Sequence, residues 1–93
     1  MDHTATAEIS TAKASGYLQQ ICKHFSHKIE VEFDTHKGTI AFPFGHAELA
    51  AEQDVLTLNA FAGNEDDLEK LKQVLSSHLE RFAFRESLEI TWN

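Results

Sequence analysis

The 93-residue chain has only one cysteine, Cys22, and one proline, Pro43. A lone cysteine cannot form an intramolecular disulfide, so nothing in the sequence indicates an oxidising compartment. No apolar run approaches the roughly 18 residues that a membrane span requires. The first residues also lack the basic start and the apolar stretch of a signal peptide. We therefore expect a cytoplasmic protein that does not cross a membrane.

Basic residues are scarce as well. Eight lysines and arginines stand against 15 aspartates and glutamates, which gives a formal net charge of −7 with neutral histidines. Binding to nucleic acid or to an anionic membrane surface requires a basic face, so we expect neither as a partner. Hydrophobic residues (42%) and charged residues (25%) are balanced as in globular proteins. The length predicts one domain over residues 1–93.

Two periodicities predict an α+β fold. Ile29, Val31 and Phe33 alternate with glutamates, which is the period of a strand. Leu18, Ile21 and Phe25 recur at helical spacing. The full pattern predicts the order β-α-β-β-β-β-α-β, with a largely antiparallel sheet and two helices packed on one face. The predicted strands lie near residues 4–10, 29–33, 40–44, 47–51, 56–60 and 88–92; the helices run from a Ser10 or Thr11 cap to about residue 26 and from an Asn64 cap to Phe82.

Gly38 and Pro43 indicate where the chain turns or bends. Residues 34–38 predict a hairpin turn in which Gly38 is free to adopt a positive φ. Pro43 cannot donate a hydrogen bond to a neighbouring strand, so the end of its strand is expected at a sheet edge or a bend.

Basic side chains cluster near the predicted ends of both helices. If the two helix C-termini point the same way, these side chains form a basic patch on an otherwise acidic protein. Such a patch can hold a carboxylate or phosphate through charge-assisted hydrogen bonds. Alternatively, the same side chains only complement the helix dipoles and pair with Glu30, Glu80, Glu86 or Glu89. The candidate anion-binding residues are Lys23, His24, His27, Lys28, His78, Arg81 and Arg85.

A metal site is the second candidate. His24 and His27 are three residues apart and can share one helix face. Imidazole suits zinc, iron, copper or nickel, and His78 would supply a third ligand if the helices lie side by side. Alternatively, the first two complement a helix end, and His78 is a partly buried residue bonded through one ring nitrogen.

The sequence proposes no reaction. It contains no glycine-rich phosphate loop, no nucleophile elbow and no metalloprotease motif, and it indicates no cofactor. Cys22 lies among apolar residues, where a thiol behaves as a small hydrophobe with a raised pKa. The aromatic residues Phe82, Phe84 and Trp92 more often close a core than mark a partner surface.

Two segments resemble a known bacterial family. The first half contains CKHFSHK at residues 22–28, then VEF at 31–33 and GTIAF at 38–42. The second half contains HLERFAFRE at residues 78–86, followed by 88–92. Together they are similar to the bacterial "domain of unknown function 2218" family over nearly the whole chain. The resemblance implies a bacterial domain of this length without an assigned activity. It also implies a link to siderophore-interacting flavin reductase domains, and so an accessory role with iron chelates.

Three hypotheses follow. The first is a non-enzymatic binding or accessory module whose partner is a small anionic ligand or an iron chelate. The second is a metal-binding protein that uses the three histidines named above. The third is a structural or dimerisation module, with a homodimer or another protein bound through exposed aromatics such as Phe44, Phe61 or Trp92.

Overall fold

Five strands and two helices form the computed structural model, which describes residues 3–93. The elements follow the order β-α-β-β-β-β-α, and the α+β class predicted from the sequence is confirmed. Their bounds are β1 His3–Ser10, α1 Ala14–Ser26, β2 Glu30–Phe33, β3 Lys37–Phe42, β4 Gly45–Glu52, β5 Val55–Ala62 and α2 Glu65–Phe82.

The strands form one antiparallel sheet in the order β1-β5-β4-β3-β2. Strands β2 to β5 follow one another as hairpins, and β1 completes the sheet by pairing with β5. Strands β1 and β2 therefore lie at opposite edges. Helix α1, which connects them, must cross the sheet from one edge towards the other.

Both helices cover the same face of this sheet. In β5, alternate residues are fully buried, while their neighbours are only half-buried on the other face. This alternation is what a sheet with one covered and one open face requires. The predicted packing of two helices on one face is confirmed. The largest fully buried side chains are Ile9, Leu18, Ile21, Cys22, Ile40, Leu56, Leu58, Leu71, Leu75 and Leu79.

The two helix starts differ in how they are capped. Asn64 caps α2 as predicted, because its Oδ1 accepts a hydrogen bond from the Asp67 amide at 2.8 Å. Helix α1 begins later than predicted, after Lys13, which makes no side-chain cap. Thr11 instead accepts a hydrogen bond from the Lys13 amide at 3.1 Å, before the first helical turn. The predicted cap at Ser10 or Thr11 is therefore wrong.

The predicted last strand is also wrong as a strand. Within the described residues, the segment 88–92 forms one isolated antiparallel bridge, between Trp92 and Ala7. The Asn93 amide donates to the Thr6 carbonyl at 2.9 Å, and the Trp92 indole donates to Ser76 Oγ at 2.9 Å. Alternation in this segment therefore reflects Leu88, Ile90 and Trp92 packing on the core without a continuous ladder.

Gly38 is required for packing, not for a turn. It lies inside β3 and is buried, and its φ is not positive. A Cβ built on Gly38 would lie 2.6 Å from Cys22 Sγ of α1 and 3.2 Å from Phe33 Cβ. The positive φ predicted for Gly38 is therefore wrong, and the glycine lets α1 approach the sheet. Pro43 lies in the two-residue connection between β3 and β4, at a bend as expected.

In the part of the chain that the structure describes, neither helix is both long enough and apolar enough to cross a membrane.

Candidate anion-binding groove

The two helices run side by side in opposite senses. Near the start of α1, the Tyr17 hydroxyl donates to Glu86, which follows α2. Near the end of α1, the His24 ring lies 4.9 Å from the His78 ring, centroid to centroid, earlier in α2. The two helix C-termini therefore do not point the same way, which was the condition for one patch holding all seven basic residues.

An aromatic cluster forms where α1 ends beside α2. The Phe25 ring lies 4.8 Å from the His78 ring and 5.1 Å from the Phe42 ring. Phe42 is in turn 5.5 Å from Phe44, which lies in the β3–β4 connection. These separations are in the range in which aromatic pairs attract each other. The end of α1, the end of β3 and the last turns of α2 are thus joined through ring contacts.

This cluster surrounds a groove of about 340 Å³, which we call the histidine groove. Its walls are mainly apolar, and its polar side chains carry imidazole and ammonium groups, with no carboxylate, hydroxyl or thiol among them. Apolar walls with a few convergent polar groups are typical of small-molecule sites. The groove is lined by His24, Phe25, Lys28, Ile29, Phe42, Phe44, Val74 and His78.

Positive charge concentrates around His24. Its pKa is lowered, first because neighbouring side chains displace part of its water and then because cationic groups lie nearby. Protonation of His24 therefore costs more in the folded chain than in the unfolded chain. Its contribution to stability is present above its ordinary pKa of 6.5 and is lost as the pH falls below that value. The four basic groups that lower the pKa are His78, Lys28, Arg81 and His27.

The carboxylates that could neutralise this charge lie elsewhere. Between residues 3 and 93, the only ion pairs within 4.0 Å are His46–Glu48 and Lys72–Glu69. None of the predicted anion-binding residues takes part in either. The alternative in which Glu30, Glu80, Glu86 or Glu89 quenches the basic side chains is therefore not supported.

His78 is half-buried and held by its own helix. Its Nδ1 lies 2.7 Å from the Val74 carbonyl oxygen. A carbonyl can only accept, so Nδ1 carries the proton and donates it. In the neutral ring Nε2 is then an acceptor, whereas in the protonated ring it is a second donor. His78 can therefore donate to an anion once it is protonated.

The structure brings together some of the predicted residues but not all. His24, Lys28 and His78 line the histidine groove, and Arg81 and His27 are close enough to influence the charge of His24. Lys23 is exposed on α1, outside the groove lining. Arg85 lies at the other end of the helix pair, with its guanidinium carbon 5.4 Å from the centre of the Phe84 ring.

The predicted three-histidine metal site is not formed. In residues 3–93, no group of three or more histidine, cysteine or acidic side chains is arranged to hold a metal ion. His24 and His78 are in ring contact, but the structure does not add His27 to the pair as a third ligand. His27 therefore lies close enough to His24 to lower its pKa, but among the described residues the two do not form a metal site with His78.

The residues predicted at a dimer interface are mostly engaged within the chain. Trp92 is half-buried against the core, Phe44 lines the histidine groove, and Phe61 stacks on His46 at 4.6 Å on the open sheet face. The exposed large hydrophobic side chains among residues 3–93 are Phe33 and Phe84.

Sequence reasoning missed the phenylalanine walls of the groove. Phe42 and Phe44 lie in the predicted strand 40–44, and nothing in their local pattern indicates contact with α2. One signal was available: residues 9–29, which include all of α1, contain no aspartate or glutamate, although the chain has 15. A stretch of that length without a carboxylate leaves one surface of an acidic protein with an excess of basic side chains.

Replacing Arg81 with glutamine is expected to raise the pKa of His24 towards its ordinary value, because one of the cations that oppose its protonation is removed. The imidazole resonances followed by NMR against pH measure this directly. Lys72→Gln, which removes a charge paired with Glu69, is the matched control and is expected to leave the His24 pKa unchanged. An unchanged pKa in the Arg81→Gln variant would contradict the charge distribution described above.

Comparison with known proteins places the chain in a family. Residues 6–93 match the family described as "Uncharacterized protein conserved in bacteria (DUF2218)", and the chain belongs to that family. The NMR structure of PA4090 from Pseudomonas aeruginosa is similar, with 37% sequence identity and a TM-score of 0.83. The match covers 97% of this chain and 94% of that one. No curated protein matches the chain. The family resemblance found in the sequence is confirmed, and the fold is shared with the Pseudomonas protein.

Proposed function

We propose that this domain is a non-enzymatic binding module that holds an organic anion with an apolar body in the histidine groove. The observation that carries the proposal is the composition of the groove: two imidazoles and one ammonium group stand at an aromatic wall, with no carboxylate in the lining. A carboxylate or phosphate would receive charge-assisted hydrogen bonds from His24, Lys28 and His78. Its apolar part would cover Phe25 and Phe42.

The lining favours binding over reaction. Catalysis by acyl or phosphoryl transfer commonly needs an activated hydroxyl, thiol or carboxylate, and none lines this groove. Cys22 is no exception, because it is fully buried and its burial raises the pKa of the thiol to about 11. An accessory role in handling iron chelates and a cytoplasmic location remain predictions. The first rests on the resemblance and the second on the sequence. A carboxylate-bearing chelate would suit the chemistry of the groove.

Benzoate is a suitable probe, because it joins one carboxylate to one apolar ring. In an amide NMR titration, we expect benzoate to shift His24, Lys28, Phe42 and His78, and to bind more tightly than acetate. The gain should be several-fold to tenfold, since burying the ring removes apolar surface from water. Phosphate should shift the same basic residues more weakly. Zinc, added in a separate titration, tests the metal hypothesis on the same spectra.

Two double variants make the titration specific. His24→Gln with His78→Gln is expected to weaken benzoate binding at pH 6 by tenfold or more, because both imidazole donors are lost. His36→Gln with His46→Gln removes the same number of imidazoles from outside the groove and should bind as the natural chain does. Equal losses in both variants, or shifts spread evenly over the surface, would contradict the proposal. A homodimer or another protein partner would then be tested by gel filtration at several concentrations.

A further inference from the structure

A second groove lies at the other end of the helix pair. It has a volume of about 400 Å³, and we call it the arginine groove. Phe84 forms one wall and is 74% exposed, although it is a large apolar side chain. The Arg85 guanidinium lies against the Phe84 ring. The arginine groove is lined by Lys13, Gly16, Tyr17, Gln20, Phe82, Phe84 and Arg85.

The two grooves lie along the same stripe of α1. Tyr17, Gln20 and His24 follow one another at steps of three and four residues, which places them on one side of a helix. Phe82 lines the arginine groove, and its ring also lies 5.8 Å from the His24 ring of the histidine groove. The two grooves therefore follow each other along the line where α1 packs beside α2, with Phe82 between them, and we call this line the track.

The whole track is basic on an acidic protein. Lys13 and Arg85 stand at one end and Lys28 at the other, with Arg81 and His24 between them. Neither groove is lined by an aspartate or glutamate. The Glu86 carboxylate accepts from the hydroxyls of Tyr17 and Thr11 and lies nearby, so the two positive charges of Lys13 and Arg85 stand against one negative charge at this end.

We propose that the track between α1 and α2 binds an acidic peptide segment of a protein partner, with carboxylates on the basic side chains and apolar side chains in the two grooves. The proposal rests on the proposed function, since the histidine groove is one of its two pockets. Lys13 and His24 are eleven residues apart, or about 16 Å along a helix at 1.5 Å per residue. About five extended peptide residues span that distance at ~3.3 Å each.

Charge and shape both favour this occupant. A long nucleic acid would extend beyond the track and meet the remaining surface of a protein with a net charge of −7. A single small anion would fill one groove and leave the exposed Phe84 uncovered. A short peptide that alternates acidic and aromatic side chains matches the basic residues and the phenylalanine walls at the same time.

The experiment compares benzoate with a blocked seven-residue peptide in which four glutamates alternate with three phenylalanines. We expect the peptide to bind at least tenfold more tightly than benzoate and to shift the amides of both grooves, including Gly16, Gln20 and His24. Lys13→Gln with Arg85→Gln should weaken peptide binding about tenfold and change benzoate binding by less than twofold. Lys37→Gln with Lys72→Gln, on other surfaces, is the control of equal charge and should change neither.

The outcomes separate the two proposals. Suppose that benzoate binds the histidine groove but the peptide binds no more tightly, or that the Lys13 and Arg85 substitutions leave peptide binding unchanged. The peptide track is then refuted and the proposed function stands. If benzoate fails to bind while the peptide shifts both grooves, the small-anion function fails and the track is supported. A peptide in which lysines replace the glutamates should not bind, and tight binding of that peptide would also overturn the track.

Discussion

Gly38→Ala is expected to lower the free energy of unfolding by about 1–3 kcal/mol, the usual cost of forcing an extra methyl group into a packed core. The new Cβ would lie 2.6 Å from Cys22 Sγ, closer than packed atoms approach, and 3.2 Å from Phe33 Cβ, which is a tight contact. Both neighbours are fixed, since Cys22 belongs to α1 and Phe33 to the paired strand β2. Alanine also reduces the entropy of the unfolded chain, but that gain of about 0.4–1 kcal/mol is smaller.

The source of the clash can be tested by a double-mutant cycle. Cys22→Ala alone should be destabilising, because it removes a fully buried sulfur. The double variant Gly38→Ala with Cys22→Ala should lose less stability than the sum of the two single changes, because the deleted sulfur leaves room for the methyl group. Urea unfolding followed by circular dichroism measures all four proteins.

Gly16 provides a matched control for the same substitution. A Cβ on Gly16 meets nothing within 4 Å, and the residue lies inside α1. Gly16→Ala is therefore expected to stabilise the domain by up to about 1 kcal/mol, since alanine is the better helix former. If Gly38→Ala stabilised the domain, as Gly16→Ala is expected to do, the close approach of α1 to β3 would be refuted.

Glu86→Ala is expected to destabilise the domain by about 2–3 kcal/mol, because it leaves two buried hydroxyl donors without their acceptor. Thr11 and Tyr17 are 6% and 5% exposed, and both donate to the Glu86 carboxylate. This carboxylate joins the start of α1 to the segment after α2. Glu89→Ala, at an exposed position three residues later, is the control and should change stability by less than about 0.5 kcal/mol.

The hydrogen-bonded cluster of Glu86, Thr11 and Tyr17 also makes the stability of the domain depend on pH in alkaline solution. The hydrogen bond to Glu86 raises the pKa of Tyr17 from 10.0 to about 12, with burial and the carboxylate charge adding to the effect. The proton is held more tightly in the folded chain, so this contribution to stability is complete below pH 10 and is lost as the pH rises towards 12. Tyr17 is the only tyrosine, so the ultraviolet absorbance of tyrosinate reports this residue alone. A Tyr17 pKa near 10 in the natural chain would contradict the cluster, as would an unchanged pKa in Glu86→Ala.

The sequence predicted the elements better than their contacts. Alternation identified β1 to β5, and the helical stripes identified α1 and α2, because burial on one face imposes those periods directly. The segment 88–92 alternates too, but alternation reports which side chains are buried and not whether the backbone forms a ladder. Gly38 shows the same limit, since a glycine needed for a close approach of α1 cannot be distinguished locally from a turn glycine.

The candidate site was predicted in its chemistry and only partly in its geometry. The basic residues at the end of α1 could be named from the sequence, because lysines and histidines cluster near the predicted end of that helix. Their grouping depended on the relative direction of the two helices, which is set by the order of strands in the sheet. That order comes from pairings between distant residues, such as Ala7 with Leu58, which no local pattern encodes. For this reason Arg85 was grouped with His24, although the two lie at different grooves.

The most direct test of the anion-binding account is the pKa of His24, measured by NMR of its imidazole with and without saturating benzoate. Nearby cations and the loss of water lower this pKa in the free protein. A carboxylate bound in the histidine groove would favour the protonated ring, so the account predicts that the His24 pKa rises when benzoate binds. A His24 pKa that stays the same at saturation would show that the anion binds elsewhere and would contradict the account.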